Sequence, residues 1–127
     1  MTNTQIDYLY RDAANYKRFN SVVIRGLLTE EMRKRIKKCL DSGEYFVPRQ
    51  VGLPEIRISA TRNEDDHAFF EWMYMDNDGN PDVTYTEAEP TIELSAEELV
   101  SNFEAVEEWD TESWLADYPE YEASEGQ

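Results

Sequence analysis

The hydrophobic pattern of this chain changes period several times, and each change predicts an element. Residues 5–18 fit two templates: Ile6, Leu9, Ala13 and Tyr16 allow a short helix, while the tyrosines favour a strand. The β-branched run SVVIR at 21–25 reads as a buried strand. Thr29 has the side chain of an N-cap, and Glu30 and Glu31 suit a first helical turn. That helix is expected to reach about Asp41 and to stop at Gly43, with the apolar stripe Met32, Ile36, Cys39 and Leu40. EYFVP at 44–48 then leads into a loop punctuated by Gly52 and Pro54.

EIRISATR at 55–62 alternates isoleucine with charge and predicts a strand with one wet face. AFFEWMYM at 68–75 predicts a central strand, DNDGNPD at 76–82 a turn, and VTYTEAE at 83–89 the returning hairpin partner. Ser95 followed by Glu98 is a capping-box pair, opening a helix expected to reach about Trp109. Trp114 and Leu115 are expected to dock a short extra turn. Helices and hairpins segregate without βαβ alternation. The fold class expected is α+β: a small antiparallel sheet around 68–75 and 83–89 with two amphipathic helices packed on it. With 127 residues the chain suits one domain, 1–127, with about the last ten residues loose.

Charge changes the picture more than composition does. The chain has 12 Lys and Arg against 28 Asp and Glu, a formal net charge of −16. The two signs are segregated. Residues 1–62 hold every Lys and Arg and seven of the acids, a formal +5; residues 63–127 hold the other 21 acids, a formal −21. Phe69, Phe70, Trp72, Tyr74, Tyr85, Phe103, Trp109 and Trp114 all lie in the acidic half, which argues that it folds rather than trailing as a tail. So acidic a chain repels nucleic acid and anionic membranes, which excludes direct binding to either and favours cationic partners. The start of the chain lacks the basic-then-apolar pattern of a secretory signal, and its apolar runs are too short to span a bilayer. A cytoplasmic protein of a host cell is expected.

On a helix from Ser95 to Trp109, Leu99, Phe103 and Val106 make the core stripe. Glu97, Glu104 and Glu108 fall on the opposite face, flanked by Glu98 and Glu107. These acids would follow one another every ~4 Å along the axis, close to the ~3.4 Å phosphate spacing of a DNA strand. Asp110, Glu112 and Asp117 continue the series. The first helix is the mirror case: Arg33, Lys34, Arg35, Lys37 and Lys38 surround its apolar stripe and are expected to face part of the acidic half, within the chain or across a homodimer.

Signs of catalysis are weak. His67 is the lone histidine, beside Glu64, Asp65 and Asp66; Cys39 sits on an apolar stripe and reads as packing. No zinc, P-loop or nucleophile-elbow motif is present, so no metal, cofactor or enzyme activity is expected. Asp76, Asp78, Asn80, Asp82 and Glu87 take the spacing of a calcium loop, but Pro81 stands where the sharp turn needs glycine, and an ordinary turn is the expectation.

The stretches YLYRDAANYK at 8–17, SGEYFVPRQVGLPE at 42–55 and DDHAFFEW at 65–72 resemble small uncharacterised proteins of phages and bacterial mobile elements. In composition, the acidic half resembles the DNA-mimic inhibitors that such elements direct against restriction and CRISPR systems. The resemblance implies a non-enzymatic inhibitor. Its carboxylates, Glu97, Glu98, Glu104, Glu107, Glu108, Asp110, Glu112 and Asp117, would occupy a basic channel on a host nucleic-acid-binding protein such as a CRISPR nuclease. The alternative is a small accessory domain that binds a protein or small ligand through its aromatic sheet.

Overall fold

The computed structural model describes residues 1–120. Its longest strands come first: β1 (Asn3–Arg11) and β2 (Lys17–Ile24) form an antiparallel ladder running from Thr4–Ile24 to Arg11–Lys17. Period two prevails over period 3.6 in this ambiguous stretch. Ile6, Tyr8 and Tyr10, on one face of β1, are completely buried, whereas Tyr16, needed for a helical stripe, is 68% exposed in the turn. That turn is built by Asp12, whose carboxylate accepts the amides of Ala14 and Tyr16.

Helix α1 (Glu30–Cys39) begins as expected, with the Thr29 hydroxyl accepting the Met32 amide. Strand β3 (Tyr45–Phe46) follows, then a one-turn helix α2 (Pro48–Val51) where a loop was expected. Proline at its first position has the required φ and no amide to waste. Gly52 ends the turn at φ +86°, and a Cβ there would meet Asn102 Nδ2 at 3.2 Å and Leu94 Cδ1 at 3.3 Å, so glycine serves both backbone and packing.

The expected strand at 55–62 does not form. Its polarity is inverted: Arg57 is buried and Ile58 is 43% exposed. The strand at 68–75 contracts to β4 (Phe70–Trp72), and that at 83–89 to β5 (Thr84–Thr86). These two do not pair with each other. Both lie antiparallel to β1 on the side opposite β2: Leu9 faces Glu71 and Tyr8 faces Trp72, then Gln5 faces Thr84 and Asn3 faces Thr86. They act as one interrupted strand, from which residues 73–83 loop out and return. The neck of that loop is a bridge between Met75 and Pro81, with the Asp82 amide donating to the Tyr74 carbonyl at 2.9 Å. Strand β3 completes the sheet beyond β4. The fold is α+β, a five-stranded antiparallel sheet whose hub is β1.

Helix α3 (Ala96–Glu104) has the full capping box: the Glu98 amide donates to Ser95 Oγ at 3.1 Å, and Glu98 Oε1 accepts the Ser95 amide at 2.8 Å. It ends five residues short of Trp109. Three glutamates, 104, 107 and 108, in a last turn without a base would oppose both one another and the helix dipole. The chain turns off at Ala105 instead. The core gathers Ile6, Tyr8, Tyr10, Phe46, Phe70, Trp72, Leu99 and Phe103 between the sheet and helices α1 and α3. A smaller cluster of Val47, Ala68 and Trp114 lies apart, with Trp114 on a 3-10 turn, Ser113–Ala116, where an extra turn was expected. The loose tail expected over about the last ten residues lies mostly at 121–127, outside the described residues; Tyr118 is packed against Trp114.

Candidate functional site: an acidic surface partly satisfied from within

The carboxylates singled out in the sequence divide into two groups. Four are engaged by their own chain. Glu104 takes the Arg35 guanidinium side-on, at 2.9 and 2.5 Å, which holds its carboxyl below the usual range. Glu98 closes the capping box, an arrangement that also lowers its carboxyl, and stands 3.6 Å from Arg25. Asp117 lies 3.1 Å from Arg49. Asp110 accepts the Ser113 hydroxyl and the amides of Ser113 and Glu112, and these bonds hold it at about 2.

The other four, Glu97, Glu107, Glu108 and Glu112, are exposed and make no ion pair among the described residues. The early end of α3 corrects the expected arrangement. Only Glu97, Glu98 and Glu104 stand on the helix, so Glu108 does not share a helical face with them and the phosphate-like axial spacing is lost. Residues 105–112 form a bent loop, the rim, instead. Gln50 anchors it, accepting the Asp110 amide at 2.7 Å and donating to the Glu108 carbonyl at 3.2 Å. Trp109 meets the Phe103 ring edge-on at 6.1 Å. Two adjoining open hollows of about 370 and 420 Å³ result: Glu107 and Glu108 line one, Glu108 and Glu112 the other.

The basic helix does face the acidic half, within the chain. Arg35 holds Glu104, and Arg33 donates to Asp76 at 2.9 Å and to the Pro81 carbonyl at 3.1 Å. Arg11 pairs with Glu71 across the sheet at 2.8 Å. Asp76, first position of the calcium-like spacing, is thereby taken: besides Arg33, its carboxylate accepts the amides of Asn80 and Asp78, which lower its carboxyl. No group of three or more His, Cys, Asp or Glu among the described residues could hold a metal.

His67 is committed to the fold. Its Nδ1 accepts the Phe69 amide at 3.1 Å and its Nε2 lies 2.8 Å from the Arg11 carbonyl, which fixes the neutral tautomer with hydrogen on Nε2. Cys39 Sγ donates to the Arg35 carbonyl, and burial pushes its thiol up, away from a reactive thiolate. Of the aromatics on the sheet, Tyr8, Tyr10, Phe46, Phe70 and Trp72 are core residues, whereas Phe19 on β2 and Tyr85 on β5 are exposed. Trp114 and Tyr118 stack on Arg57 of this chain at 4.3 and 5.0 Å.

Sequence reasoning missed that arginine, since a charge in an alternating apolar stretch reads as a wet face. No helix among the described residues is long and apolar enough to cross a membrane. No protein-family model, curated protein or solved structure matches this chain.

Proposed function

We propose that this protein is a nucleic-acid mimic, a non-enzymatic inhibitor whose carboxylates occupy a basic channel on a nucleic-acid-binding protein of the host cell, a CRISPR nuclease being one such target. The observation that carries the reading is the division among the acids. Internal cations and backbone amides account for Glu71, Asp76, Glu98, Glu104, Asp110 and Asp117, and a contiguous set around Glu107, Glu108 and Glu112 is left over on an anchored rim. Acids that served solubility alone would not need Gln50 and Trp109 to hold their backbone. Arginine forks bind carboxylates as they bind phosphates, so a channel built for nucleic acid suits such a rim.

The test reverses the unpaired acids and spares the paired ones. Glu97→Lys, Glu107→Lys, Glu108→Lys and Glu112→Lys together should abolish capture of a nucleic-acid-binding target and leave the melting curve nearly unchanged. Glu104→Lys is left out because it would strip Arg35 of its partner. Truncating one side of a desolvated charge pair costs ~2–5 kcal/mol, while rim charges act mostly on association rate. Binding should therefore weaken with salt and compete with the target's own nucleic acid. If the fourfold reversal leaves affinity intact and excess nucleic acid displaces nothing, the mimic reading fails.

A further inference from the structure

Three arginines in this protein present the same side-on pair of donors, Nε and Nη2, to a carboxylate. Arg11 grips Glu71 in this way at 2.8 and 3.4 Å, Arg35 grips Glu104 at 2.9 and 2.5 Å, and Arg49 grips Glu55 at 3.2 and 2.6 Å. Arg57 breaks the pattern. Its side chain is only 3% exposed and its Nη1 donates to the His67 carbonyl at 2.5 Å, but its Nε and Nη2 are buried with no hydrogen-bond acceptor among the described residues. The nearest carboxylate oxygen, Glu55 Oε1, stands 3.5 Å from Nε and is already bonded to Arg49.

Rings occupy the rest of the surroundings. Tyr10, Phe70, Trp114 and Tyr118 place their centroids 4.8, 5.4, 4.3 and 5.0 Å from the guanidinium carbon. Their faces stabilise the charge, but they offer no oxygen to the in-plane donors. Trp114 and Tyr118 arrive on a strap, residues 113–120, moored by further arginines. Arg62 Nη1 donates to the carbonyls of Leu115 and Tyr118, the Arg62 amide donates to the Pro119 carbonyl at 2.9 Å, and Arg49 holds Asp117. Trp114 packs in the small cluster with Val47 and Ala68, and Trp109 packs against both that cluster and the main core.

We propose that Arg57, flanked by Arg49 and Arg62, is a strap-covered oxyanion site that takes two oxygens of a phosphate or carboxylate group when residues 113–120 lift. The entering oxygens supply the acceptors that the fork lacks, in the bidentate geometry its three counterparts already show. Lifting the strap also removes Asp117 from Arg49, leaving Glu55 as the acid shared by the Arg49 and Arg57 guanidinium groups. The site stands independently of the acidic rim.

The experiment titrates the full chain with sodium phosphate, and separately with sodium acetate, against sodium chloride at equal ionic strength. The readout is the NMR signal of the Trp114 indole N–H, which donates to the Thr111 carbonyl in the closed strap. A saturable shift with an oxyanion and none with chloride is expected. A response to phosphate alone assigns the fork to phosphoryl groups and one to acetate alone assigns it to carboxylates; either upholds the site. Because a closed strap multiplies the apparent affinity by the small fraction open, Tyr118→Ala with Asp117→Asn should tighten binding by about tenfold. Arg57→Gln should abolish it. Binding that survives in folded R57Q overturns the proposal. Should R57Q fail to fold, the loosened-strap variant decides alone, and an affinity no tighter than wild type overturns it. So does a wild-type shift no larger than that with chloride.

Discussion

Residues 1–62 and 63–120 differ in sign of charge, but the structural difference between them is one of dependence. The first half contains the long ladder of β1 and β2, complete from Thr4–Ile24 to Arg11–Lys17. The second half contributes two three-residue strands, β5 held by β1 and β4 held between β1 and β3, so both are completed only by strands of the first half. Its acids pair back in the same direction: Arg11 with Glu71, Arg25 with Glu98, Arg33 with Asp76, Arg35 with Glu104 and Arg49 with Asp117. Charge that is segregated along the chain is thus interleaved in space. Among the described residues the pairing leaves exposed acids without an ion pair in several places, Glu64, Asp78, Glu89, Glu93 and Glu97 among them, and Glu107, Glu108 and Glu112 are one contiguous group of these.

If the halves form one cooperative unit, the largest effect should come from the residue that joins them at the core. Phe103 is fully buried, with ring centroids 5.7 Å from Phe46, 6.5 Å from Trp72 and 6.1 Å from Trp109. Phe103→Ala should destabilise the protein by about 3–5 kcal/mol in urea denaturation. Hydrogen exchange in β1–β2 and in α3 should accelerate together. Protection kept in the ladder while α3 melts would break the comparison and show two separable units.

A smaller effect distinguishes the cross-half pairs from one another. Arg33 is 11% exposed and its Nη1 serves both Asp76 and the Pro81 carbonyl, pinning the 73–83 excursion onto α1. Arg33→Ala should cost about 1.5–3 kcal/mol, the range for hydrogen bonds to a charged group. Arg35→Ala, at a pair 46% and 40% exposed and screened by solvent, should cost clearly less than Arg33→Ala. Equal losses in the two variants would show that burial does not rank these pairs.

The sequence revealed elements wherever local chemistry decides. Thr29 and the Ser95–Glu98 box marked both helix starts, and Ile36, Leu40, Leu99 and Phe103 fell on the core faces expected. It did not reveal partners, because pairing is non-local: nothing in VTYTEAE says that it continues β4 along β1 rather than folding back on it. Helix ends were misread where electrostatics overrode the apolar stripe, as at Glu104. The acidic candidates were legible as a group, but which of them are free depends on arginines as many as 73 positions away, as Arg25 and Glu98 illustrate. Arg57 was misread for a related reason. Its cage is assembled from Tyr10, Phe70, Trp114 and Tyr118, which share no local pattern with it.

The smallest predicted effect separates two ways of holding an acid in the negative half. Asp110 is held at about 2 mainly by the Ser113 hydroxyl and then by the amides of Ser113 and Glu112, whereas Glu104 is lowered first by its bond to Arg35. A carboxyl whose value is depressed on folding stabilises the fold when ionised. Asp110's contribution is therefore fully present above about pH 4, its ordinary range, and is lost as pH falls through about 2. The group is exposed, so the change should appear locally rather than in global stability, as faster exchange of the Glu112 and Ser113 amides over that window. Asp110→Asn can still accept those amides, and should show the turn without the pH dependence. Raising the salt sharpens the contrast. Screening weakens an exposed ion pair but leaves short hydrogen bonds largely untouched. In 1 M salt the NMR titration of Glu104 should move up toward the usual carboxylate range while that of Asp110 stays near its low-salt value. If both move together, the Asp110 depression comes from Arg49 across the gap rather than from the turn that encloses it.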